Sequence, residues 1–400
     1  MPTVATGLRS ATPTGIASQR LIIEMQDQIY QYDPNKTPML TFLSMSSGSK
    51  ASAPVFNHLE DEPLPNWGTL NANLSSGAAT SIGVTDTSFI RSGDLILIPT
   101  SLAGGKPEVV LVTTVASATS LNPVVRDWVN NNAGVGGTAA LNGANFTVIG
   151  NVNVEGSGTR TLMQTTEAAI QNFCQIIKTP WGITGTLDAT ATYGGPDRVT
   201  QAKKAATEHA FEQERAFLFG TKRNTVDTFG SFGTTGRAIR STGGIYYWLS
   251  TNVVAAGGTL THATMETLCE KVFRFGSSTK VMLCSRRVMS QLDNIAESRI
   301  ETVAEQDTYG VKMRRYVSGH GELLIKIHDM LINDYAGSAI VIDMTNVMKR
   351  FTVNSEGKRD ALLRMNIQAP DADAVINEYL SEVGLHVHLE KSHGLLTGVL

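Results

Sequence analysis

Residues 196–220 read PDRVTQAKKAATEHAFEQERAFLFG, and this stretch decides the fold. Pro196 and Asp197 suit a helix start and Gly220 suits a stop. The pattern predicts a helix from Asp197 to Phe219, roughly 35 Å long at ~1.5 Å per residue. One face carries Val199, Ala202, Ala206, Ala210 and Phe217, small residues that let another element come close. Arg198, Lys203, Lys204, Glu208, Glu212 and Glu214 are expected in solvent. Basic residues near the start and acidic ones near the end run against the helix dipole, which is mildly unfavourable for an isolated helix. Partner charges offset that if another subunit supplies them; a plainly solvated face is the bland alternative. These six residues, with Arg237 and Arg240 of the loop that follows, are the candidate subunit-interface residues.

Towards the carboxy terminus, residues 221–244 read as a turn-rich loop ending in the apolar run Ile245-Tyr246-Tyr247-Trp248. Met265, Leu268, Cys269, Val272 and Phe273 lie at i, i+3, i+4, i+7 and i+8, a helix whose apolar stripe is core and whose stop is Gly276. Residues 281–284 read as a buried strand, 285–298 as a helix and 311–332 as a hairpin turning near Ser318-Gly319-His320-Gly321. Residues 339–342, 351–353 and 385–389 add strands, so this half is mixed α+β.

Towards the amino terminus, residues 1–20 read as an extended arm that cannot bury itself alone, with a short amphipathic turn at 21–30. Pro34 and Pro38 then break the chain before Met39, Leu40, Phe42 and Leu43. Residues 55–70, with Pro63 and Pro65 among acidic side chains, read as an extended loop. Residues 82–154 hold short β-prone runs between Gly, Asn and Pro, which predict an inserted small β-barrel-like subdomain with a Gly-rich tip at 130–143.

The chain of 400 residues is long enough for a packed core without disulfides or metals. Charged residues make up 17%, against roughly 25% in ordinary soluble domains, which points to surface buried against partners. A net charge of −3 gives no basic excess, so sequence-specific nucleic-acid binding is disfavoured. Cys174, Cys269 and Cys284 are odd in number and share no CxxC spacing, as expected of reduced core thiols in a cytosol. No stretch reaches the ~18 apolar residues of a membrane span, and no targeting signal opens the chain, so no membrane partner is expected.

The one constellation that tempts a chemical reading is His386-x-His388-x-Glu390-x-x-His393. Alternate imidazoles on a strand beside a carboxylate can hold a divalent ion, and a metal-dependent hydrolase using His386, His388 and Glu390 is the enzyme-class alternative. A half-buried strand with Leu385, Val387 and Leu389 inward and the histidines outward explains the same alternation. There is no GxxxxGK[ST] loop and no GxSxG elbow, and no thiol has an activating partner that sequence can place. No catalytic residue, metal or cofactor is therefore assigned, and the chain is read as no enzyme.

An arm, an excursion carrying a β-insert, one long charged helix and a charge-poor α+β body stand in an order that resembles the Hong Kong-97-type capsid fold of tailed-bacteriophage major capsid proteins. The strings Gly93-Asp94-Leu95-Ile96, Asn172-Phe173-Cys174-Gln175-Ile176, Phe219-Gly220 and Ile340-Val341-Ile342-Asp343-Met344 are similar to a subgroup of that family. The resemblance implies an arm at 1–50, an extended loop with its insert at 51–160 (insert about 82–154) and a peripheral domain at 161–260. An axial domain with its connections at 261–375 and a return to the peripheral sheet at 376–400 complete it. It also implies self-assembly into hexamers and pentamers of an icosahedral shell around double-stranded DNA, held without sequence specificity. The implied partners are a scaffolding protein, a portal, and possible decoration protein or protease. Assembly is expected in the bacterial host cytoplasm and the product in the virion capsid. Lys106 has no identifiable cross-linking partner, and no scaffold-like segment precedes residue 21, so a separate scaffolding protein is expected. A cellular nanocompartment shell of the same fold is the alternative within the class.

Overall fold

The structure is a computed structural model that describes residues 37–45, 48–74, 80–99, 107–128, 142–190, 196–228, 236–299, 306–308, 311–355 and 357–400. The arm at 1–20, the turn at 21–30, Lys106 and all of the Gly-rich tip before Asn142 lie outside the described residues. Two compact units are present: the described part of Met1–His58 with Ile170–Leu400, and Leu59–Ala169.

In the first unit the helices are α1 (Pro38–Met45), α2 (Gly185–Asp188), α3 (Asp197–Phe219), α4 (Ile245–Trp248), α5 (His262–Val272) and α6 (Arg286–Arg299). The ends of α3 fall where its Pro-Asp start and Gly stop predict. Gly220 has φ −56, so it does not stop the helix through a left-handed turn. Instead a Cβ there would meet the carbonyl oxygens of Ala216 at 2.3 Å and Thr242 at 2.5 Å, and the Gly244 N–H donates to the Gly220 carbonyl at 2.7 Å. Glycine stands there because two backbones meet.

The helix packs on a six-stranded sheet whose path is Ser49–Ala51, Val347–Asn354, Ala374–Val387 and Gln175–Thr184, with Gly357–Lys358 and Leu362–Arg364 paired to its strands. Ala374–Val387 pairs antiparallel with the whole of Gln175–Thr184, from Gln175↔Val383 to Thr184↔Ala374. Ser49–Ala51 joins the edge in parallel, with Ser49 opposite Arg350. A seven-stranded sheet runs Val253–Gly258, Gly394–Val399, Ala339–Ile342, Thr279–Cys284, Gly321–Ile327, Val311–Ser318, Gln306–Thr308. Ala339–Ile342 is buried throughout, as a strand covered on both faces must be. The predicted hairpin is there, turning between Ser318 and Gly321.

One core joins Met39, Phe42 and Leu43 of α1 to Phe217 and Leu218 of α3 and to Ile340, Ile342 and Leu385 of the two sheets. A second core packs α5 and α6 on the seven-stranded sheet through Met265, Leu268, Val272, Val288 and Leu292. Hydroxyls cap both helices: that of Thr261 accepts from the Thr264 N–H, and that of Ser285 accepts from the Val288 N–H.

The second unit holds a five-stranded sheet (Trp67–Thr69, Asn145–Asn151, Asp94–Ile98, Glu108–Val112, Val124–Val125) and a three-stranded one (Ile82–Gly83, Ser120–Leu121, Val115–Ser117). The expected barrel is corrected here, because neither sheet closes among the described residues. The outer strands of the larger sheet span only three and two residues, too short to carry the tilt and stagger that closure requires. Alternation is clean in Asp94–Ile98 and Glu108–Val112, whose inward residues Ile96, Ile98, Val110 and Val112 form the core with Leu70, Phe89 and Phe146. Residues 55–70, expected to be a loop, contribute the strands Val55–Glu60 and Trp67–Thr69.

Candidate assembly surfaces and a histidine cluster

The buried face of α3 is Ala205, His209, Gln213, Glu214, Phe217 and Leu218. The expected apolar face is thereby corrected: Val199 is 51% exposed and Ala206 is exposed, while polar side chains point inward. The reason is a hydrogen-bonded seam between helix and sheet. The Thr179 hydroxyl donates to Glu212 Oε2 at 2.6 Å and meets His209 Nδ1 at 2.8 Å. His209 Nε2 meets the Ser381 hydroxyl at 2.7 Å, and Gln213 Nε2 donates to that same oxygen at 2.9 Å. One consistent assignment has His209 neutral, donating from Nδ1 to Thr179 and accepting from Ser381 at Nε2. Burial accordingly lowers its pKa, against the pull of Glu212 and Asp360. Lys349 Nζ closes the seam by donating to Gln213 Oε1 at 2.8 Å and Asp360 Oδ1 at 2.7 Å.

Glu214 was expected in solvent and is fully buried. Its Oε1 accepts from the Met39 N–H at 2.8 Å and its Oε2 from the Leu40 N–H at 2.7 Å. These are N–H groups of the first turn of α1, which have no partner within their own helix. His328 Nε2 lies 2.7 Å from Oε1, while His328 Nδ1 accepts from the Met330 N–H, so the ring donates to the carboxylate from Nε2. A carboxylate that satisfies three donors and faces a helix N-terminus has reason to be inside.

Of the remaining candidates, Arg198, Lys203, Lys204, Glu208 and Arg237 are exposed, and Glu212 and Arg240 are half-buried. Glu208 pairs with Arg215 of its own helix at 2.8 Å. Residues 221–244 hold a hairpin of Arg223–Val226 and Ala238–Ser241, which places Arg240 opposite Asn224.

The carboxy-terminal constellation comes apart. Strand Ala374–Val387 ends before His388, and Leu389 turns the chain with a φ of 49. Glu390 Oε1 accepts from the N–H groups of Ser250 and Thr251, both at 2.8 Å. His393 goes into the core, its Nδ1 accepting from the Asp343 N–H at 3.0 Å. Nor does His386 face solvent: it is 2% exposed, because His58 and Phe56 of strand Val55–Glu60 lie over it.

In the constellation's place stand His58, His386 and His388, whose ligating nitrogens lie within 4.8 Å of one another. Their ring centroids are 4.7 Å apart for His58 and His386, 4.3 Å for His58 and His388, and 3.9 Å for His386 and His388. His386 Nδ1 accepts from Arg350 Nε at 3.1 Å, and its Nε2 lies 2.8 Å from His58 Nδ1. Burial and the neighbouring imidazoles push the His386 pKa down to about 3. His58 is separated from its partners by more than 300 positions, so no spacing rule could have found it.

Burial raises the pKa values of Cys174, Cys269 and Cys284 to about 12, 11 and 12, which keeps all three as thiols.

A short helix anchored to a long one, a long helix laid on a sheet that the chain re-enters near its end, a second sheet between them in sequence, and an excursion with its own core follow the element order of the Hong Kong-97-type capsid fold. The chain belongs to the SU10 major capsid protein family, whose model matches residues 6–400. A major capsid protein of Pseudomonas phage PaMx41 is 27% identical over 228 residues, 52% of this chain and 53% of that protein. The chain thus spans about half the length of the curated relative it matches. Among solved structures, a chain from Microbacterium phage Oxtober96 gives a TM-score of 0.48 at 10% identity, covering 97% of this chain and 99% of that one. A native GTA particle capsid gives 0.48 at 12% identity, covering 99% and 100%. An encapsulin complex from Synechococcus elongatus PCC 7942 gives 0.40 at 9% identity, covering 59% and 78%.

Proposed function

We propose that the chain assembles with copies of itself into hexamers and pentamers that close an icosahedral shell around double-stranded DNA. The observation that carries this is membership of a capsid family over residues 6–400, nearly the whole chain. The role is structural and not enzymatic, the product is the virion capsid, and assembly takes place in the cytoplasm of the bacterial host. A separate scaffolding protein and a portal take part, with a decoration protein as a further partner.

Closed shells repeat the same contacts many times, so modest interfaces suffice. Arg198, Lys203, Lys204, Glu208, Arg237 and Arg240 are the charges offered to neighbours. Glu212 and Glu214 have their carboxylates occupied within the chain and act by holding α3 and α1 in place. Expression of the chain alone and with its neighbouring genes, followed by light scattering and negative-stain microscopy, tests the reading. Shells, tubes or capsomer rings support it; monomers under every condition contradict it.

A further inference from the structure

His58 of strand Val55–Glu60, His386 of strand Ala374–Val387 and His388 just beyond its end converge in the first unit, and the shell role proposed above assigns them nothing. We propose that His58, His386 and His388 form a binding site for a borderline divalent metal ion of the Zn2+ class, which ties strand Val55–Glu60 to the end of strand Ala374–Val387.

The geometry is close to what such an ion needs. Zn–N bonds of ~2.0–2.1 Å in a tetrahedron put ligand nitrogens about 3.3 Å apart. The three nitrogens already lie within 4.8 Å of one another, and two of them, His386 Nε2 and His58 Nδ1, are 2.8 Å apart. Closing round an ion takes shifts of roughly an ångström, within reach of side-chain rotation. His386 is fixed by packing: Phe56 meets its ring edge-on at 5.0 Å, and residue 386 pairs in the sheet with Met348. The donor set also selects the ion. Neutral imidazoles suit Zn2+, Ni2+, Cu2+ and Co2+, whereas Mg2+ and Ca2+ require oxygen ligands. Glu390, two residues after His388, is committed to the N–H groups of Ser250 and Thr251. With three protein ligands the fourth position is left to water.

Arg350 sets the threshold for loading. A neutral imidazole carries one N–H, and that of His386 sits on Nε2, because Nδ1 accepts from Arg350. Ligation through Nε2 moves this hydrogen to Nδ1, so Arg350 Nε must turn away. The same guanidinium donates to the Ser49 hydroxyl at 2.6 Å on the parallel edge strand. A cation beside the site also opposes a second one by direct repulsion.

The test is a Zn2+ titration of chelator-treated full-length protein, both as subunits and as assembled particles, with Co2+ as a spectroscopic probe. One Zn2+ per chain is expected, with the visible absorption of tetrahedral Co2+ and no response to Mg2+. His58→Gln and His388→Gln should each weaken binding by roughly a hundredfold, since even an outer partner of a ligand is worth ~10–100-fold. The exposed His262→Gln should leave it unchanged. Arg350→Met should tighten it by roughly tenfold, the opposite of what loss of a purely structural contact does. Melting of each variant without metal separates lost ligands from lost fold. Zn2+ uptake unaffected by the paired His58 and His388 changes, sub-stoichiometric binding, or Mg2+ binding as tight as Zn2+ would overturn the proposal.

Discussion

Glu214 and Met39 are 175 positions apart, yet the carboxylate of one accepts the main-chain N–H of the other at 2.8 Å in a fully buried contact. That bond, with its partner to Leu40, makes the position of α1 depend on α3.

Glu214→Ala leaves two helix N–H groups and the His328 ring without an acceptor, and is expected to cost about 3 kcal/mol. Glu214→Gln, whose amide can accept but turns an NH2 towards the remaining donors, should cost about 2 kcal/mol. Denaturant unfolding of the subunit measures both. Losses under about 0.5 kcal/mol would show that α1 is held by its apolar contacts alone.

Lys280 predicts an alkaline dependence. The residue is 1% exposed, and its ammonium donates to the carbonyls of Val272, Phe275 and Ser392. Burial lowers its pKa from 10.5 to about 8, outweighing Asp343, whose carboxylate lies 3.8 Å away. Between those two pH values the unfolded chain holds a proton that the folded chain has released, so stability rises with pH across that window. Native protein should therefore gain on Lys280→Met by up to roughly 3 kcal/mol between pH 8 and 10.5. Unfolding of both proteins at several pH values checks it, and a flat or falling difference would refute the assignment.

Arg126 and Glu108 form a buried pair in the second unit, with Nε–Oε1 at 2.5 Å and Nη2–Oε2 at 2.7 Å. Removing one partner strands the other charge, so Glu108→Ala should cost about 3–5 kcal/mol. Replacing both, as Glu108→Leu with Arg126→Met, should recover most of it. A double variant as unstable as the single one would mean that the pair, rather than its volume, holds the sheet.

The thiols of Cys174, Cys269 and Cys284 should be inert to an aromatic disulfide reagent in the folded chain and react fully on denaturation. Rapid reaction of any of them in the native protein would contradict the burial described.

Local signals were readable from sequence, and long-range polar ones were not. The bounds of α3, the apolar stripe of α5 and the turn at Ser318 and Gly321 are written in caps, periodicity and glycine positions, and all three are present, whereas α5 ends at Val272, ahead of the expected stop at Gly276. The inward face of α3 is hidden from periodicity because His209, Gln213 and Glu214 are held by partners on five distant segments, at Met39–Leu40, Thr179, His328, Lys349 and Ser381, and periodicity counts such residues as solvent-facing. Closure of a barrel depends on the length of the outer strands, which short β-prone runs do not reveal. The histidine alternation at 386 and 388 was visible, but its third member arrives from strand Val55–Glu60, a segment read as loop.

Closed-shell assembly by this chain is open to cryo-electron microscopy of particles purified after expression with the neighbouring genes. Icosahedral particles with fivefold vertices and sixfold capsomers are expected, each subunit retaining a 23-residue α3 laid on its sheet. Particles lacking fivefold and sixfold capsomers, or a chain that stays monomeric with every candidate scaffold, would contradict it.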